Sequence, residues 1–253
     1  MISERTFARS FSGFWTELLP LLTPNFVHLV SNGFKNALID ADGEPIVPVP
    51  KDPEIRDTAV IAEFAFFISQ LSIQRNLSVY ELIREKKYSE KAEHYALEVV
   101  KKYEGGRVPL SAPLLPKELE EGLALAVNYE RFFNARGKNQ IIEFGPSIPG
   151  AGFLAECKAD ISVGTTLFEV KTVDRNLAGK DIRQLVVYLA LQGVTGNRRW
   201  VSGGFFNPRR AIYHEFNIDY IINQMSGGKA SLEVFQELID FVSIRDIQLD
   251  ATF

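Results

Sequence analysis

The sequence is poor in several things that would each have named a function class. It has one cysteine, Cys157, so no internal disulfide can form, and a reducing compartment is expected, by default a bacterial or archaeal cytoplasm. No apolar run reaches the roughly 18 residues that span a bilayer, so no membrane association is expected. Residues 1–11 hold no apolar stretch of signal-peptide length, and none is expected. The histidines, His28, His94 and His214, are scattered without metal-ligand spacing, and His214 in A-I-Y-H-E-F reads as structural. There is no G-x-x-x-x-G-K-[ST] loop to cradle nucleotide phosphates and no G-x-S-x-G nucleophile elbow. A lone cysteine with no neighbouring histidine gives no thiol nucleophile. Excess positive charge is also missing. The net charge is -4, so any nucleic-acid site has to be a local basic patch.

What is present is a chain of 253 residues, 46% hydrophobic and 24% charged, which can bury a sizeable core. Residues 7–22 carry apolar side chains at helical spacing, and 59–71 form a strongly apolar segment of helical length. Residues 37–50, with D-G and several prolines, read as a hairpin or loop. Two polar-faced helices are expected at 78–87 and 89–103, the second stopped by Gly105-Gly106. The proline-rich stretch 108–116 is the best boundary, separating a mainly helical region, 1–110, from a second domain, 117–253. That domain opens with a helix over 117–136. Strands are expected at 140–145, 153–163, 167–173, 199–206 and 211–216. Helices are expected at 180–192, 218–225 and 231–242. The fold class is a mixed α/β domain behind a helical N-terminal region.

Charges break the apolar pattern between Cys157 and Arg175, C-K-A-D-I-S-V-G-T-T-L-F-E-V-K-T-V-D-R. A tight turn at Gly164 that pairs Val163 with Thr166 puts Asp160 opposite Glu169 and Lys158 opposite Lys171. Alternation places Leu167, Glu169 and Lys171 on one face and Phe168, Val170 and Thr172 on the other. Glu156, Lys158 and Asp160 share the first face. Directly opposed side chains have Cβ atoms about 5 Å apart, and two carboxylates there repel unless a cation lies between them. Mg²⁺ or Mn²⁺, held by one or two carboxylates with waters and phosphate oxygens, meets that need. A nearby Lys171 can steady an attacking water or the charge that develops at phosphorus. A solvated strand face carrying unrelated charges is the plainer alternative.

An Asp followed by Glu-x-Lys on a hairpin resembles the PD-(D/E)XK nuclease superfamily. The next helix, D-I-R-Q-L-V-V-Y-L-A-L from Asp181, places Gln184 and Tyr188 on one face beside a core stripe of Ile182, Leu185, Val186 and Leu189. Gln-x-x-x-Tyr after the E-x-K strand resembles the RecB-like branch. P-S-I-P-G-A-G, Asp160, E-V-K-T-V-D-R, D-I-R-Q and N-P-R, over residues 146–209, also look like a group of bacterial defence-associated predicted nucleases. The departures are Ala151 and Ala159, where that group has Cys and Gly. The resemblance implies a restriction-endonuclease-like sheet and metal-dependent phosphodiester hydrolysis, most directly of DNA. Asp160 and Glu169 would hold Mg²⁺ or Mn²⁺, Lys171 would assist water attack, and Gln184 and Tyr188 would orient water or phosphate. With no motor in the chain, a separate ATPase, helicase or other defence-system subunit is an expected partner. The rival reading is a catalytically inactive nucleic-acid-binding or assembly subunit.

A third acid on the helix before the hairpin is also expected, with Glu130 and Glu121 as the options. Glu130 points toward the apolar side of that helix and is the metal candidate. Glu143 is ambiguous, and Glu156 lies about 13 Å along the strand from Asp160, too far to share an ion. Arg175, Arg183, Arg209 and Arg210 are the candidate phosphate contacts, with Lys138, Lys180, Arg198 and Arg199 able to widen the patch.

Overall fold

The computed structural model describes residues 1–103, 113–193, 196 and 198–244. The architecture is mixed α/β, built on a six-stranded sheet of order β1-β8-β7-β6-β5-β2. The strands are β1 (Lys35–Ala37), β2 (Ile142–Phe144), β5 (Ile161–Val163), β6 (Thr166–Val170), β7 (Ser202–Asn207) and β8 (Ile212–Asn217). Only β6 and β7 run parallel; the crossover between them is α8 (Gly179–Gly193). A two-stranded ribbon, β3 (Ser147–Ile148) with β4 (Cys157–Lys158), stands beside the sheet.

Both faces of the sheet are covered, which is why its central strands read as nearly unbroken apolar runs. On β6, Leu167 enters one core and Phe168 the other; on β7, Phe205 and Phe206 divide in the same way. The first core is closed by α8 together with α1 (Glu4–Arg9), α2 (Ser12–Leu18), α3 (Pro24–Gly33), α9 (Ile218–Ser226) and α10 (Ser231–Ser243). The second core is closed by α4 (Thr58–Arg75), α5 (Val79–Ile83), α6 (Lys86–Tyr103) and α7 (Pro116–Arg136). Helix α4 starts where the Asp57 side chain accepts from the N–H groups of Ala59 and Val60, and stops at Asn76 in the left-handed region. It meets α7 where Gly122 leaves no room for a side chain: a Cβ there would lie 2.6 Å from the Phe64 ring.

Three expectations change. The helix expected over 7–22 is two short helices, because Phe11 takes φ 56° and breaks the run. The strand expected over 153–163 is two strands with different partners. Lys158 therefore stands opposite Ser147 in the small ribbon, not opposite Lys171. The 1–110 region is helical but also supplies β1, an edge strand paired with β8. The expected boundary at 108–116 lies mostly outside the described residues. The segments on either side of it share the sheet and both cores. Among the described residues, no helix is long and apolar enough to cross a membrane.

Candidate active site

The β5–β6 hairpin closes in the expected register. Val163 pairs with Thr166, Ser162 with Leu167 and Ile161 with Phe168, so Asp160 and Glu169 follow directly on the last pair of this ladder. Gly164 makes the turn at φ 56°, in the left-handed region that favours glycine. Beyond Ile161 the chain leaves the ladder. The Asp160 carbonyl accepts from Gly145 N–H at 2.8 Å, and its carboxylate Oδ2 accepts from Val170 N–H at 2.7 Å. That side-chain bond crosses the hairpin and holds the carboxylate beside Glu169.

Glu169 is fully buried. Its Oε1 accepts from Lys171 Nζ at 2.8 Å, while Oε2 is buried without a hydrogen-bond partner. Lys171 also donates to Gln184 Oε1 at 2.9 Å and lies 3.8 Å from Asp181 Oδ1. Gln184 Nε2 in turn donates to Tyr188 Oη at 2.9 Å. Gln184 and Tyr188 thus both face the acid pair, and Leu185 and Leu189 face the core, as their helical spacing predicts.

Glu169, Lys171, Asp181 and Gln184 line a cleft of about 390 Å³; Tyr188 does not, being buried behind Gln184, where it cannot orient water or phosphate directly. Its floor comes from β6 and its extension through Val173, and α8 supplies Lys180, Asp181 and Gln184. Its other walls come from the N-terminal region: Arg5 and Arg9 on α1, and Thr58, Ala62, Glu63 and Phe66 on α4. The lining holds five cations, Arg5, Arg9, Lys171, Arg175 and Lys180, against four carboxylates, Glu63, Asp160, Glu169 and Asp181. A chain of net charge -4 therefore carries a locally cationic cleft.

The electrostatics follow from crowding. Burial, then the facing Glu169, pushes the Asp160 carboxyl well above its ordinary value; Lys171 and the Val170 N–H only partly offset this. Burial also raises Glu63, with Arg5 opposing. Burial works against the charge of Arg5, but Asp160 and Glu169 outweigh it and hold the guanidinium above its ordinary value. Burial would raise Asp181 too. The hydrogen bonds from Arg175, at 2.6 and 2.9 Å, and the charge of Lys171 reverse that and leave it low. Tyr188 is pushed well above its ordinary value by burial and the nearby carboxylates, so it remains a hydroxyl.

Several residues singled out from the sequence lie elsewhere. Glu130 does not line the cleft; its carboxylate accepts from Val79 N–H at 2.9 Å and serves the start of α5. Glu121 is tied to the buried guanidinium of Arg209, which also reaches the carbonyls of Val49 and Pro50. Arg209 is 2% exposed and cannot meet a ligand. Arg183 lies 5.7 Å over the Trp15 ring, outside the cleft. Glu143 pairs with Arg199 and Arg198 with Asp219, while Lys138 borders a separate depression. Arg175 and Lys180 do line the cleft, whereas Arg210 does not; it is bonded to Asn176 Oδ1 at 2.7 Å and lines a small adjoining hollow with Lys171 and Arg175. Glu4, Arg5, Arg9, Glu63 and Asp181 were not anticipated. Asp181 had a local signal, as the first-turn acid of the helix after E-x-K; the other four had none.

The donor set bears on what a divalent ion requires. Among the described residues, no group of three or more His, Cys, Asp or Glu side chains is placed to share an ion. The Asp160–Glu169 pair alone, with the unpartnered Glu169 Oε2, fits a hard cation that keeps most of its positions for water or phosphate. In comparisons with known proteins, the chain matches no family model and no curated protein significantly.

Proposed function

We propose that this chain is a metal-dependent nuclease with a restriction-endonuclease-like fold, hydrolysing phosphodiester bonds, with DNA as the expected substrate. The observation that carries the reading is the pair of carboxylates facing each other across a hairpin. One of their oxygens is buried without a partner, and a lysine lies on the same face. Opposed carboxylates in a crowded floor are costly, and a divalent ion relieves both the repulsion and the orphaned oxygen.

Asp160 and Glu169 would hold Mg²⁺ or Mn²⁺, which when bound supplies Lewis-acid activation of water and phosphate oxygens. Lys171, anchored by Glu169 and Gln184, presents an ammonium to the water or to the charge developing on phosphorus. Asp181 keeps Arg175 in place at the rim. Arg175, Lys180, Arg5 and Arg9 line the cleft as contacts for the backbone phosphates on either side of the scissile one. In the setting of a defence system, a separate ATPase or helicase would deliver the substrate, in a reducing cytoplasm.

One observation favours the rival, an inactive binding or assembly subunit. Lys171 already neutralises Glu169, and Val170 N–H already satisfies one Asp160 oxygen. The deciding experiment incubates purified protein with plasmid and single-stranded DNA, with and without Mg²⁺ or Mn²⁺, beside Lys171→Met. Metal-dependent cutting that Lys171→Met abolishes supports the nuclease. Equal cutting by both proteins would place the activity outside the Lys171 site, and no cutting by either with DNA still bound supports the binding subunit.

A further inference from the structure

Helix α1 lies more than 150 residues before the hairpin in sequence, yet one of its side chains ends against the catalytic lysine's anchor. Glu4 is 7% exposed. Its Oε1 accepts from Tyr188 Oη at 3.3 Å and from Gln184 Nε2 at 3.4 Å. Gln184 Nε2 also donates to Tyr188 Oη, and Gln184 Oε1 accepts from Lys171 Nζ. Several contacts hold α1 in place. Ser3 caps it, Phe7 and Ala8 are buried, and Ile2 exchanges backbone hydrogen bonds with Phe153 and Ala155 at 2.9 and 3.0 Å.

A glutamine amide has a donor end and an acceptor end, and neighbours decide which way it turns. An ammonium only donates, and an ionised carboxylate only accepts. Gln184 stands between one of each, so a single orientation satisfies both. Turning it over would set Nε2–H against Lys171 and Oε1 against Glu4. Tyr188 does not choose by itself, because its hydroxyl both donates and accepts. With Glu4 removed, Lys171 alone would oppose turning the amide over, and Gln184 Nε2 and Tyr188 Oη would each lose an acceptor.

We infer that Glu4 is a positioning residue of the site, fixing the orientation of Gln184 and, through it, the place of the Lys171 ammonium. The consequence for rate rests on the nuclease reading; the positioning itself does not. Helix α1 is thereby part of the site rather than an appendage to it.

The test uses the full chain without metal for structure and with Mg²⁺ for activity. ¹⁵N NMR follows the Gln184 side-chain amide and the Lys171 ammonium in wild type, Glu4→Leu and Glu4→Gln, with Lys171→Met and Gln184→Leu as assignment controls. The amide introduced by Glu4→Gln can accept from both partners but can also donate, so that variant should give signals and a rate between those of wild type and Glu4→Leu. Glu4→Leu should shift the Gln184 amide and speed exchange of the Lys171 ammonium. It should also lower kcat about 10- to 100-fold with KM little changed. Glu4→Ala replaces Glu4→Leu if the leucine variant does not fold. Unchanged amide and ammonium signals in Glu4→Leu overturn the inference, even if its rate falls. If wild type cuts nothing, the nuclease reading fails, and the NMR comparison still decides the role of Glu4.

Discussion

Lys171 Nζ stands 2.8 Å from one oxygen of Glu169, while the other oxygen of the same carboxylate is buried with no partner. A half-satisfied buried carboxylate is costly. The Glu169 carboxylate is also close enough to Asp160 to raise its carboxyl, so a cation held by both groups would serve the unused oxygen.

Thermal unfolding with and without Mn²⁺ should therefore separate ligands from bystanders. At a metal concentration near 100 times Kd, wild type should gain about 2.7 kcal/mol, or about 5–10 °C in Tm. Asp160→Ala and Glu169→Ala should lose most of that gain. Lys171→Met should keep much of it, because a protonated lysine offers no lone pair to a metal. Equal shifts in all four proteins would place the ion elsewhere.

The pH dependence of the metal-free protein has a defined sign. The folded-state pKa of Asp160 is raised above its unfolded value of about 3.9, so the folded state binds the proton more tightly. Its unfavourable contribution is absent below the unfolded value and grows as pH rises through the folded one. Asp160→Asn does not titrate but keeps an oxygen for Val170 N–H. Denaturant titrations should find it equal to wild type near pH 3 and more stable at neutral pH, by about 0.2–1 kcal/mol. A gap that narrows as pH rises would contradict this.

Arg209 and Arg175 should separate structural from functional arginines. Arg209→Ala leaves Glu121 buried without its cation and should cost about 3–5 kcal/mol in urea unfolding. Arg175 is more exposed, and Arg175→Ala should cost well under half of that while weakening binding to a DNA oligonucleotide. Loss of DNA binding by folded Arg209→Ala at unchanged stability would reverse the assignment.

Salt dependence of DNA binding tests the contribution of α1. If Arg5 and Arg9 each neutralise one phosphate, removing both should flatten the slope of log K against log salt by about 1.4–1.8, depending on strand number. Fluorescence anisotropy at four salt concentrations measures it. An unchanged slope would remove α1 from the binding surface.

Much of the hairpin was legible because its rules are short-range. A glycine at the turn, strict alternation and a two-residue loop determine the register, and with it the placement of Asp160 and Glu169 directly after the last ladder pair. The helix with Gln184 and Tyr188 on one face followed from the same kind of local spacing. The expectation for Glu130 failed for a tertiary reason. Its inward-pointing carboxylate had a partner in the backbone of α5, about 50 residues away in sequence, which no periodicity reports. Arg209 failed in the same way, since its turn looked exposed until residues 49–50 and α7 closed over it.

The sequence by itself determined the chemistry offered on one strand pair and one helix, because neighbours along the chain set turn, pleat and helical face. Tertiary structure decided what surrounds that chemistry. It brought Glu4 onto α8 and Arg5, Arg9 and Glu63 into the lining of the cleft, and left the second Glu169 oxygen unpaired. The physical reason is that these placements come from burying apolar faces such as Phe7 and Phe64 in two separate cores. Burial is non-directional and roughly proportional to area. A local pattern can therefore show that a face will be covered, but not which distant segment will cover it.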